Sequence, residues 1–128
     1  MSKSDTDIAE EAYAQLNEGL MHGKWDAFFA LFADEVDLIL PYPPAVGHFT
    51  GAEGREKLAS FFENLGVEGN RVTNVISTEK VVGEDRVVFE DHWSGEFFGQ
   101  PAEGRDVIVI TAAGGKVVAF HEYVLPAA

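Results

Sequence analysis

The sequence predicts an α+β fold in which helices pack on one face of an antiparallel sheet. Three observations carry this. Apolar residues recur at helical spacing only in the first half of the chain. The second half reads as long strands of alternating character. Glycine-rich turn signals separate those strands. Helices first and strands later fit the α+β class and not an alternating βαβ order.

The elements follow in order. Ser4 to Asp7 supplies a helix cap with its first-turn acid. Ile8, Ala12, Leu16 and Leu20 then form a helical stripe, widened by Ala9 and Tyr13 and ended by Gly23. Trp25, Phe28, Phe29 and Phe32 give a second, short and very apolar helix, broken by Asp34-Glu35. Val36 to Leu40 reads as a strand, and Pro41-Tyr42-Pro43-Pro44 as a stiff loop, because proline cannot donate to a ladder. An extended piece near His48-Phe49 leads to Gly51. Arg55 to Leu65 is the third helix, with Leu58, Phe61, Phe62 and Leu65 on its apolar side.

After Gly66 the chain turns to strands, roughly Arg71–Val82, Arg86–Phe98, Arg105–Ala112 and Lys116–Leu125. Gly83-Glu84-Asp85 and Ala113-Gly114-Gly115 mark tight turns, and Gly99-Gln100-Pro101 makes the remaining connection. Internal glycines such as Gly95 let long strands curl. A curled sheet capped by helices encloses a cone-shaped pocket.

Composition narrows the function. At 128 residues the chain is expected to form one domain with one core. Ten Phe, three Tyr and two Trp suffice to line a cavity as well as fill that core. Twenty-two acids against nine bases leave a net charge of −13, which argues against nucleic acid and against an anionic membrane as partners. The absence of cysteine removes disulfides, thiol nucleophiles and thiolate metal sites. The N-terminal residues lack a signal-peptide core and no apolar run is long enough to span a bilayer, so a cytoplasmic location is expected. Glycine pairs sit in hairpins and not before helices, so no nucleotide loop is implied, and no serine elbow is present. No cofactor is expected. His92 and His121 fall on different strands and no short-spaced His/Asp/Glu set stands out, so no metal is expected.

The strongest functional clue lies in the last strand. Side chains alternate faces, so Val118, Phe120, Glu122 and Val124 share one face and Glu122 interrupts it. A buried carboxylate must be paired, protonated or turned to a ligand cavity. Pairing with Arg105 is the structural alternative. Asp91 interrupts the apolar row Val87, Phe89, Trp93 in the same way, unless Glu90 and His92 face inward instead. If both acids face the concave side they stand roughly 10 Å apart, suited to an acid and a base flanking a small substrate. Imidazole is the side chain suited to carrying protons near neutral pH, so His92 and His48 are candidate proton carriers, while His121 is expected on the convex side.

The catalytic candidates are therefore Glu122, Asp91 and His92. The candidates for substrate contact are Tyr13, Trp25, Phe28, Tyr42, His48, Phe61, Phe89, Trp93, Asp106 and Phe120. Their aromatic richness favours a flat or hydrophobic ligand.

Gly23 to Val36, Gly51 to Phe62, Gly83 to Val88 and Gly115 to Tyr123 together resemble, in order, the motifs of nuclear transport factor 2-like proteins, and in style the SnoaL-like group. That group includes polyketide cyclases, ketosteroid isomerases and phenazine-biosynthesis proteins. The resemblance implies a curved antiparallel sheet with three helices over its concave face, a homodimer, and a pocket for a small hydrophobic molecule. It also implies either cofactor-free acid/base chemistry (isomerisation, cyclisation or dehydration) or a non-catalytic binding or assembly role. The isomerase base position, before the first-strand proline, is Leu40 here, which cannot take a proton. Tyr13 is out of register with the family tyrosine, and Asp106 lies near the place of the oxyanion-hole acid. The late aspartate of the cyclases is matched by Val124-Leu125, whereas Glu122 in His121-Glu122-Tyr123 matches the catalytic glutamate of the phenazine proteins.

Overall fold

A computed structural model of the chain describes residues 3–43, 45–65 and 70–126. Pro44 of the proline loop and Gly66 lie outside the described residues. Three helices, α1 (Asp5–His22), α2 (Asp26–Ala30) and α3 (Gly51–Leu65), precede most of the sheet. The strands are β1 (Phe32–Leu40), β2 (Gly47–Phe49), β3 (Arg71–Val82), β4 (Arg86–Phe97), β5 (Gln100–Ala113) and β6 (Lys116–Val124). They form one six-stranded sheet in the order β2-β1-β6-β5-β4-β3. Every pairing is antiparallel except β1 with β6, which is parallel.

Local chemistry sets the helix ends. The Ser4 hydroxyl accepts from the Asp7 amide while the Asp7 carboxylate accepts from the Ser4 amide, so two orphan donors are satisfied. Gly23 closes α1 with φ of 71°, a left-handed conformation that costs glycine nothing. The predicted stripe is the buried one: Ile8, Ala12, Tyr13 and Leu16 face the sheet. α1 lies across β3, β4 and β5, and α3 lies on β1.

The core forms between helices and sheet. Phe28 is fully buried and meets Phe32, Phe62 and Phe120 edge-on, the arrangement that ring quadrupoles favour. Curvature comes from irregular register, with shifts in β3 between Val72 and Asn74 and again between Ser77 and Glu79. No helix among the described residues is long and apolar enough to cross a membrane.

Two element boundaries differ from expectation. β1 begins at Phe32 and not at Val36, because Asp34 and Glu35 sit exposed at an irregularity in the β1–β6 pairing and interrupt burial without ending the strand. β5 begins at Gln100, since its polar first residues pair with the end of β4. A further shift in the β5–β6 pairing leaves Val118 unpaired and turns Val117 inward, so Val117 and not Val118 belongs to the face of Phe120 and Glu122.

Candidate active site

The register builds the site. Asp91 of β4 pairs directly with Asp106 of β5. Ile108, two residues on from Asp106, pairs with Glu122 of β6. Opposed residues share a face and alternate residues along a strand share a face, so the three acids look to the same side. That side is the one covered by the helices. Asp91, Asp106 and Glu122 are 4, 3 and 6% exposed.

Each acid has a defined neighbour. The Tyr13 hydroxyl, from α1, donates to Asp91 Oδ2 at 2.9 Å. The Tyr42 hydroxyl, from the proline loop, donates to Asp106 Oδ1 at 2.7 Å. Glu122 lies close enough to Asp106 for the two carboxyl groups to interact. Asp91 Oδ1 is buried and has no partner. Among the described residues no lysine, arginine or histidine forms a salt bridge with any of the three. The sequence alternative for Glu122 fails, because the Arg105 guanidinium turns outward to Glu90 at 3.0 Å.

Burial without a cation dictates the protonation states. Loss of water holds Glu122 well above the usual carboxylate range, and interaction with Asp106 and the charge of Asp91 reinforce this. The shift favours the protonated, hydrogen-bond-donating form of Glu122. Burial also pushes Asp91 up to about 6, with the Tyr13 hydrogen bond pulling the other way and the charge of Asp106 adding to the rise. Asp91 can therefore change protonation near neutral pH. Burial and the adjacent carboxylates raise both tyrosines above their ordinary value, so they stay hydroxyl donors.

The acids floor a cavity of about 270 Å³ between the helices and the sheet. Its wall is apolar, with Leu16, Leu20, Phe62, Leu65, Val75 and Ile108 among the lining side chains. Of the residues singled out in the sequence, Tyr42, Phe61, Asp91, Trp93, Asp106 and Glu122 line it. Tyr13 and Phe89 stand behind it, stacked at 4.0 Å, and support Asp91. Phe28 and Phe120 are fully buried packing residues. Trp25 borders a separate depression with Lys24, Asp26 and Phe29. Strand alternation sends His92 to the outer face, where it lies 3.5 Å from Glu103. His48 also stands outside, so neither candidate histidine reaches the acids.

The sequence reading missed Asn70, whose side-chain oxygen accepts from the Phe98 amide at 2.8 Å at the cavity wall. No spacing or pattern distinguishes it. Asp37, His48 and His121, too widely spaced in the sequence to form a short-spaced set, meet on the outer face of the sheet.

The SnoaL-like domain family matches residues 10–120, and the chain belongs to that family. A search of curated proteins returns no match. An NTF2-like protein from Anabaena variabilis is similar over 99% of this chain and 95% of its own, with TM-score 0.81 and 22% identity. A putative isomerase from Bacillus subtilis aligns over 97% and 91%, with TM-score 0.79 and 15% identity. A protein of ketosteroid isomerase-like fold from Catenulispora acidiphila, in complex with trimethylamine, aligns over 88% and 84%, with TM-score 0.69 and 17% identity. These likenesses establish the shared fold.

Proposed function

We propose that this chain binds a small, mostly apolar molecule and moves a proton on it without a cofactor, in an isomerisation or a related cyclisation or dehydration. The observation that carries the reading is a trio of buried acids with no cation, set in an apolar cavity, one of them with an unpartnered oxygen. Asp91 is the base. Tyr13 holds Oδ2, and Oδ1 is left to take a proton from carbon. Glu122 carries the proton that stabilises a developing oxyanion, a role that a carboxylic acid in an apolar site can fill at neutral pH. Asp106, held by the Tyr42 hydroxyl, is the acid that neighbours Glu122. A carbonyl compound with an acidic C–H, of one or two rings, suits a cavity just under the usual range of ~300–1,000 Å³. The working unit is taken as a homodimer, which light scattering of the purified protein tests.

The experiment begins with a thermal-shift panel of cyclic ketones and polyketide-like aromatics, since ligand binding stabilises the native state by mass action. For a compound that binds, solvent deuterium exchange at its α-carbon reports proton abstraction. Asp91→Asn should slow exchange about 100- to 10,000-fold while leaving affinity within a few-fold. Unchanged exchange in Asp91→Asn and Glu122→Gln alike would refute the reading.

A second reading has its own support. Three buried acids without a cation would also attract an organic ammonium ion, and Trp93 and Tyr42, which line the cavity, are aromatic partners for it. In that case the protein is a non-catalytic binder. Stabilisation by quaternary ammonium salts, with none from neutral ketones, would select this second reading.

A further inference from the structure

Two of the four histidines in the chain meet on the outer face of the sheet, away from the cavity. The strand order β2-β1-β6 brings this about. Ile39 of β1 is paired with His48 on one side and with His121 on the other. Asp37 lies two residues before Ile39 on the same face, between the two imidazoles. Both Nε2 atoms close on a single carboxylate oxygen, Asp37 Oδ1, at 2.8 Å for His48 and 2.7 Å for His121. The three donor atoms all lie within 4.8 Å of one another.

We infer that Asp37, His48 and His121 form a site for a divalent first-row transition metal, with Zn²⁺ as the ion it takes. Two imidazoles and a carboxylate are the donors such ions prefer, whereas Mg²⁺ and Ca²⁺ favour all-oxygen shells. One imidazole would satisfy a carboxylate oxygen as a hydrogen-bond partner; a second aimed at the same atom makes a three-donor cluster. Tetrahedral zinc with bonds of 2.0–2.1 Å sets neighbouring donor atoms ~3.3 Å apart, so each imidazole nitrogen need draw back from Asp37 Oδ1 by only about half an ångström. His48, with 56% of its side chain exposed, has room for that movement. The outer side is open, which leaves the fourth position to water. The net charge of −13 draws cations to the surface. Each ligand comes from a different strand, so the ion would tie β2 and β1 to β6, the strand that carries Glu122. The inference is independent of the cavity and of the reaction proposed for it.

The test uses full-length protein without a histidine tag, dialysed against chelator and titrated calorimetrically with ZnCl₂. One equivalent should bind and raise Tm. His48→Ala and His121→Ala should each weaken binding at least ~10-fold, and Asp37→Asn should do so while keeping side-chain volume. His22→Ala, at the end of α1, should leave it unchanged. Circular dichroism checks that each variant folds, and Co²⁺ gives a second readout through visible absorption that the histidine variants lose. Absence of one-to-one binding, or binding indifferent to both His48→Ala and His121→Ala, would overturn the assignment.

Discussion

The Tyr13 hydroxyl donates to one oxygen of Asp91 and leaves the other without a partner, while the tyrosine ring lies flat on Phe89. A helix side chain thus orients a sheet carboxylate through a rigid, stacked lever. Tyr13→Phe keeps the stack and deletes the donor. Removing one partner from a buried pair costs about 1–3 kcal/mol. It also removes the interaction that pulls Asp91 down, so the acid limb of any pH–activity profile should move to higher pH. A profile that stays in place in Tyr13→Phe would mean that Asp91 is not the titrating base.

Stability should depend on pH in a direction unusual for a carboxylate. Asp91 is held at about 6 against an ordinary 3.8, so the native state binds this proton more tightly than the unfolded chain does. The contribution is complete below about pH 4, where both states are protonated, and is lost as pH rises through the folded value. Glu122, also raised, extends the window upward. Asp91→Asn escapes the cost of burying the charge. The Tm of this variant relative to the parent should therefore climb between pH 4 and pH 7, by up to about 3 kcal/mol expressed as stability. A flat difference across that range would place the carboxylate in contact with water.

Glu122 and Asp91 were legible because each breaks an apolar alternation, and alternation is a local property of a strand. Asp106 was harder to place. The run Val107 to Ile110 is apolar on both faces, so only the pairing with Asp91 and Ile108 with Glu122 reveals which way Asp106 points. The histidines show the opposite limit. His92 follows from the same alternation that turns Asp91 inward. The cluster of Asp37, His48 and His121 does not, because the two histidines lie 11 and 84 residues from Asp37 and His121 joins it only through the parallel pairing of β1 with β6. Parallel neighbours are joined by long connections, and no turn motif announces them. Val118 was misplaced because a register shift reverses the alternation, and nothing in the residue types signals it.

The cavity wall contains a close approach that a single methyl group should disturb. Gly104 of β5 pairs with Trp93 of β4, and a Cβ added at Gly104 would stand 2.8 Å from Cε2, Cζ2 and Nε1 of the indole. Trp93 lines the cavity, so its ring is held over the strand by the absence of a side chain beneath it. Gly104→Ala must lift the indole, and forcing an extra methyl into packed surroundings costs about 1–3 kcal/mol. The lifted ring also changes the shape of the cavity. Any compound that raises Tm in the parent protein should bind Gly104→Ala several-fold more weakly, and the tryptophan emission should shift. Adding Trp93→Phe to Gly104→Ala shrinks the ring and should recover most of the lost stability, a coupling that separate single-variant costs cannot produce. If the double variant simply sums the two losses, the indole does not rest on Gly104, and its place in the cavity wall must be redrawn.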